Sequence, residues 1–249
     1  MTWKNISIAA VALSALLLGS LAYAQQAAAP PAAAGKADAV AALKQSLQQG
    51  LAKAKQYEWV ETTIISLKGE DKARKQNRCY YGADGKVQKV SLDQPAAQEK
   101  PQAGGGRRGG GKLKEKVVEN KKDEMQEYMK NAAALIHSYV PPDPAKIQAA
   151  KDAGRVATTP QAGGAVRVAV SDYLQPGDAL TVDLDPAAGK LLALGVNTYL
   201  DKKEDTVTLA VKMNTLADGA LYAGETKLDA KAKNITVVIQ NTGHRPVAK

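Results

Sequence analysis

The spacing of apolar residues alternates along this chain between a helical repeat and a strict period of two. The first helical repeat is carried by five residues, Val40, Leu43, Leu47, Leu51 and Ala54. Their steps of three and four place them on one stripe, with Lys and Gln on the other face, which predicts an amphipathic helix. Gly50 lies between the stripe positions and is expected only to weaken this helix.

A three-stranded meander is predicted next, because the apolar period becomes two. Trp59 and Ile65 share one face of the first strand, which begins at Tyr57. Residues 74–82 are predicted to form the second strand. Asp84-Gly85 is the signal of a two-residue hairpin turn, and residues 86–92 form the returning strand.

Two helices and a second, longer run of strands are predicted after that meander. Residues 93–111 contain six glycines around two arginines and are expected to be a mobile loop. A long helix begins at Lys112 and ends before Pro141-Pro142, and Asp143-Pro144 begins a shorter one. Six alternating stretches separated by Asp and Gly turns then predict an antiparallel sheet with one buried face. They begin near residues 166, 180, 190, 207, 220 and 235.

This order of elements predicts an α+β fold. The strands are expected to form a curved antiparallel sheet, an unclosed half-barrel, with the helices packed on its concave face. The folded part is predicted to be one domain over residues 37–249.

The first 24 residues have the features of a secretory signal peptide. Lys4 supplies the positive charge, and the apolar run from Ile6 to Leu18 is shorter than the roughly 18 residues of a spanning helix. Ala22-Tyr23-Ala24 is a cleavage signature, so cleavage is expected after Ala24. Residues 25–36, rich in Ala and Pro, are expected to be a flexible tether. The mature protein is therefore predicted to be periplasmic or secreted.

Composition and charge narrow the class of partner. The formal net charge is +9, which attracts anionic partners without identifying one. Cys79 is the only cysteine, so no intramolecular disulfide can form and the thiol is expected to be buried. Phe is absent, so the core must be built mainly from aliphatic side chains.

No arrangement of residues predicts catalysis, a metal site or a cofactor. His137 is expected at a helix end, and His244 in a frayed C-terminal tail. The acidic pairs and clusters at residues 183–185 and 201–205 fall at turns, where Asp is favoured by local hydrogen bonds. The protein is therefore expected not to be an enzyme.

The first strand opens with Tyr57-Glu58-Trp59-Val60-Glu61-Thr62, and the first Asp-Gly turn lies in Tyr80-Tyr81-Gly82-Ala83-Asp84-Gly85-Lys86. In these segments and in its order of elements over residues 37–243, the chain resembles the LolA/LolB-like superfamily of exported lipoprotein carriers and sorting proteins. The resemblance implies a half-barrel capped by helices, with an apolar cavity between the two. No ligand-handling residue of that superfamily has an identifiable counterpart in this chain.

Three functional hypotheses follow, of which the third, a hydrolase of unfamiliar type, needs a cluster of polar residues that the sequence does not identify. In the first, the chain is a non-enzymatic carrier in the bacterial cell envelope that binds an acyl chain or a lipoprotein segment between sheet and helices. The residues expected to line that space are Tyr57, Trp59, Ile65, Leu192 and Leu194. In the second, it is an envelope interaction module whose basic loop and helix bind an anionic polymer or membrane surface. The residues expected there are Arg107, Arg108, Lys112, Lys114 and Lys116. No specific nucleic-acid partner is predicted, because aromatic residues that would stack on bases are missing from the Gly/Arg segment.

Overall fold

The computed structural model describes residues 45–93 and 111–247, and for residues 111–122 the backbone alone. Within these ranges the chain forms ten strands and three α-helices. The helices are α1, described over residues 45–54, α2 (Gly111–His137) and α3 (Pro144–Asp152). The strands are β1 (Tyr57–Leu67), β2 (Glu70–Tyr81), β3 (Val87–Ser91), β4 (Val156–Pro160), β5 (Val166–Ser171), β6 (Ala179–Asp185), β7 (Lys190–Tyr199), β8 (Thr206–Thr215), β9 (Leu221–Ala230) and β10 (Ile235–Pro246).

All ten strands belong to one antiparallel sheet, in the order β3-β2-β1-β10-β9-β8-β7-β6-β5-β4. The two meanders predicted from the sequence are joined because β1 pairs with β10 along almost its whole length. The sheet is curved and open, with β3 and β4 as its edges. The predicted α+β class and the unclosed half-barrel are thus confirmed.

One face of the sheet carries the core and is called here the packed face. Its main cluster joins apolar residues of β5 to β9 to Ala132 and Ile136 of α2, with Leu47 and Leu51 of α1 packed against it. A second cluster lies towards β1. It contains Ile65, Met129, Ala230, Ile235 and Val237. The helical stripes predicted from the sequence therefore meet the sheet through apolar side chains.

Several boundaries differ from the sequence-based expectation. Strand β2 starts at Glu70 instead of residue 74, and strand β4 was not expected. Strand β2 is rich in polar residues, and β4 has five residues of which four are exposed, so neither shows the apolar alternation that identifies a half-buried strand. The β2–β3 connection is also longer than two residues, spanning residues 82–86, with Gly85 at a φ of +72°.

Gly50 lies at a close contact between α1 and the β8–β9 turn. It is buried, and a methyl group added to it would lie 2.9 Å from Cβ of Leu221 and 3.1 Å from the carbonyl oxygen of Gly219. Glycine at this position therefore allows α1 to approach the β8–β9 turn.

The predicted signal peptide (residues 1–24) and tether (residues 25–36) lie outside the described residues, as do Val40, Leu43 and residues 94–110 of the predicted loop. Within the described ranges α2 is the longest helix, and neither it nor the others carries an apolar stretch of membrane-spanning length.

Candidate binding site on the packed face

Antiparallel pairing aligns side chains of neighbouring strands into rows that cross the packed face. Two adjacent rows run from β5 to β1. The first, called the buried row, consists of Val170, Leu180, Val196, Leu209, Leu228, Val237 and Ile65. The second, called the middle row, consists of Val168, Val182, Leu194, Val211, Thr226, Ile239 and Thr63.

The two rows differ in how completely they are covered. Six members of the buried row are at most 6% exposed, and Leu228 is partly buried. In the middle row, Val168, Val182 and Ile239 are apolar but only half-buried, whereas Leu194, Val211, Thr226 and Thr63 are at most 7% exposed. The covering of the packed face is therefore incomplete at three positions of the middle row.

The helices contact the packed face near opposite ends of its strands. At one end, the Tyr128 hydroxyl of α2 donates to Asp205, in the β7–β8 turn, and Met129 belongs to the second apolar cluster. At the other end, Lys53 donates to the carbonyl of Asp218, in the β8–β9 turn, 2.5 Å away. The middle row crosses the sheet between these two sets of contacts.

The C-terminal end of α2 is fixed by a buried carboxylate. Asp178 accepts hydrogen bonds from the backbone N–H groups of Tyr173, Leu174 and Gln175 and from the hydroxyl of Tyr139. The same hydroxyl lies 2.7 Å from Oγ1 of Thr198. Burial and the neighbouring Asp178 raise the pKa of Tyr139, so its hydroxyl stays protonated and can donate.

Polar groups are buried at the β1 end of the two rows. Glu61 is 1% exposed and accepts two hydrogen bonds of 2.7 Å from Nζ of Lys89. Trp59 donates from Nε1 to Asn241 at 3.0 Å, and Asn241 donates to the carbonyl of Ala223. Oγ1 of Thr63 is buried and has no hydrogen-bond partner within the described part of the chain. The apolar rows therefore end in a polar region.

Cys79 lies in this polar region and is fully buried, as expected from the sequence. Burial raises the pKa of its thiol to about 12, and the charge of Glu61 adds to the effect. The thiol is consequently protonated at neutral pH and is a poor nucleophile.

The expectation of a frayed tail at His244 was wrong. The residue belongs to β10, and its ring stacks on Trp59 at 5.9 Å between centroids and lies 3.8 Å from the ring of Tyr222. The ring of Tyr81 completes this aromatic group, with its centroid 5.6 Å from that of Trp59. Burial lowers the pKa of His244, so the neutral ring is favoured. His137 ends α2, as predicted.

The five predicted lining residues are distributed across the packed face. Leu194 belongs to the middle row and Ile65 to the buried row, four strands apart. Trp59 lies in the aromatic group, and Tyr57 donates from its hydroxyl to Asp218 at 2.9 Å. Leu192 falls in a register shift between β6 and β7, and Leu191 packs against the main cluster.

Of the basic residues in the alternative hypothesis, Arg107 and Arg108 lie outside the described residues. Lys112, Lys114 and Lys116 belong to α2, but their side chains are not described. The buried polar roles of Glu61, Lys89 and Asp178 were not predicted from the sequence. A signal existed for Glu61, which continues the alternation of Tyr57 and Trp59 on the packed side of β1.

No family model matches this chain, and no curated protein matches it. Among solved structures, the chain is similar to a crystal structure of a DUF1329 family protein from Desulfovibrio piger, with 14% sequence identity and a TM-score of 0.41. The superposition covers 84% of this chain and 93% of that chain.

Proposed function

We propose that this protein is an exported, non-enzymatic carrier that binds a hydrophobic ligand, an acyl chain or a lipoprotein segment, in the bacterial cell envelope. In this proposal the helices lie on the concave face of the sheet, and the ligand occupies the space over the middle row. The observation that carries the proposal is the incomplete covering of that row, whose members Val168, Val182 and Ile239 are apolar but only half-buried.

The middle row has apolar, half-buried surface at two places, Val168 and Val182 on β5 and β6 and Ile239 on β10. It crosses seven strands, so its length is about 29 Å at a strand spacing of about 4.8 Å. Covering the half-buried members of the row would remove further apolar surface from water, which is favourable by about 25 cal/mol per Å².

The proposal is tested by filling the space over the row. Ile239 lies at the centre of the β9–β10–β1 part of the row, whereas its neighbour Val238 points to the opposite face and is also half-buried. Ile239→Trp should weaken binding of a fluorescent long-chain fatty acid by about tenfold, equivalent to about 1.4 kcal/mol. Val238→Trp is the matched control and should bind as the parent does.

Two results would contradict the carrier function. One is the absence of saturable fatty-acid binding by the parent protein, together with no apolar compound detected by mass spectrometry after mild purification. The other is an equal effect of the two substitutions, because it would show that the binding does not depend on the packed face.

A further inference from the structure

A recess on the opposite face of the sheet has no role in the proposed carrier function. It has a volume of about 590 Å³ and lies over the ends of β1, β2 and β10. Its lining combines three charged side chains with three that offer aromatic or apolar surface. They are Glu58, Arg78, Arg245, Tyr80, Pro246 and Val247.

A β-bulge in β10 brings Arg245 to this recess. Val60 pairs with Thr242 but Glu58 pairs with Arg245, so β10 has one residue more than β1 between these pairs. Gly243 lies in the bulge with a φ of +64°, a conformation that glycine adopts without steric cost. Because one extra residue exchanges the two faces of a strand, the bulge directs His244 to the packed face and Arg245 to the opposite face.

The charges of the recess are not balanced. Nε of Arg245 donates to Oε1 of Glu58, and Nη1 of Arg78 lies 3.9 Å from Oε2 of the same carboxylate. Two guanidinium groups therefore share one carboxylate, which leaves a net charge of +1. The hydrogen bond to Glu58 also restrains Arg245, so less side-chain entropy is lost when Arg245 binds a ligand.

Donor groups of the two arginines remain available. Within the described part of the chain, no hydrogen bond engages the Nη groups of Arg245, and the side chain is 69% exposed. The side chain of Arg78 is 45% exposed, and its guanidinium lies 5.8 Å from the centre of the Tyr80 ring. A guanidinium presents a planar fork of N–H groups that matches the oxygens of a carboxylate or phosphate.

We propose that this recess binds a small organic anion. Its carboxylate or phosphate group is held by Arg78 and Arg245, and its ring or short apolar body rests against Tyr80, Pro246 and Val247. The volume of the recess falls in the range of small-molecule sites, about 300–1,000 Å³. The half-exposed Val247 and the ring of Tyr80 provide the apolar contact that an inorganic ion would not use.

The test compares two probes and three variants of the full chain by following the Arg Nε–H signals in NMR titrations. Phenyl phosphate should bind saturably, at about the millimolar level, and more tightly than inorganic phosphate. Arg78→Gln and Arg245→Gln should each weaken phenyl phosphate binding by about fivefold, as expected for one exposed charged contact. Arg74→Gln is the matched control, because Arg74 is exposed on the same face of β2 but does not line the recess.

Three results would overturn the proposal. The first is the absence of saturable binding. The second is an equal weakening by Arg74→Gln, which would indicate attraction to the basic surface in general. The third is binding of phenyl phosphate no tighter than that of inorganic phosphate, since an organic anion would then have no advantage. None of these results bears on fatty-acid binding at the packed face, so the two proposals fail separately.

Discussion

Both carboxylate oxygens of Glu61 lie 2.7 Å from Nζ of Lys89, and strand β2 runs between the two residues. Glu61 belongs to β1, whereas Lys89 belongs to the edge strand β3, which has only five residues. The side chain of Glu61 is 1% exposed and that of Lys89 is 25% exposed. This pair therefore links the short edge strand to the interior of the packed face.

Lys89→Met should lower the free energy of unfolding by about 3 kcal/mol, because it leaves the charge of Glu61 buried without this partner. Urea titration measures the change. Lys212→Met is the control: its pair with Glu225 is exposed, and its loss should cost less than about 1 kcal/mol. The double variant Glu61→Leu/Lys89→Met should recover part of the stability. Equal losses for Lys89→Met and Lys212→Met would show that burial adds nothing to the pair.

The sequence predicts the sheet well where one face is apolar, and poorly where buried positions are polar. Alternation located β1 and the strands from β5 to β10, and it also predicted a single antiparallel sheet. Glu61 was missed because a carboxylate at a strand position usually faces solvent, and its partner Lys89 is 28 residues away. The burial of Asp178 likewise depends on Tyr139, which is 39 residues away and reaches it only in the folded chain.

The recess and the stacking of His244 on Trp59 both depend on the β-bulge in β10, which the apolar alternation of the sequence does not reveal. Simple alternation from Ile235, Val237 and Ile239 would continue to Gly243 and Arg245 on the packed face. The bulge instead places His244 there and Arg245 on the other side. A glycine in a strand suggests a bulge, but it does not say which neighbouring side chains exchange faces.

Gly50→Ala tests the close approach of α1 to the β8–β9 turn. Alanine favours a helix over glycine by about 1 kcal/mol, so an unconstrained helix would gain stability. In this fold the added methyl group would meet Leu221 and Gly219, and the net result should be a loss of about 1–2 kcal/mol. Gln49→Ala, at an exposed position of the same helix, should change stability by less than about 0.5 kcal/mol. Higher thermal stability of Gly50→Ala would contradict the contact.

The buried thiol of Cys79 should resist modification. With its pKa raised to about 12, it should react with a disulfide reagent at about pH 8 at least a hundredfold more slowly than the same thiol in the urea-unfolded chain. The native thiol stays protonated where the unfolded thiol ionises. Its contribution to stability is therefore complete below about pH 8.5 and is lost as the pH rises towards 12. Similar rates for native and unfolded chains would show that the thiol is accessible.

Acidification should weaken the packing of the His244 ring against Trp59 and Tyr222. Burial lowers the pKa of His244, so the unfolded chain takes up a proton that the native chain resists. The contribution of the neutral ring is complete above about pH 6.5 and is lost as the pH falls through the native pKa. His244→Phe keeps an aromatic ring but cannot titrate, and its stability should fall less than that of the parent between about pH 7 and pH 5. Tyr222→Phe, in the same group, should keep the parental pH dependence.

Gly243→Ala should disturb both faces of the sheet at once. The residue has a φ of +64° with no atom within 4 Å of an added methyl group, so the expected loss of about 1–2 kcal/mol is backbone strain. Gly85→Ala is the matched control, because Gly85 has a φ of +72° and equally open surroundings in the β2–β3 loop. Both variants should lose similar stability.

Only Gly243→Ala should return the NMR-measured pKa of His244 towards 6.5 and weaken phenyl phosphate binding, because the same bulge positions His244 and Arg245. An unchanged His244 titration in Gly243→Ala would mean that the stack does not depend on the bulge.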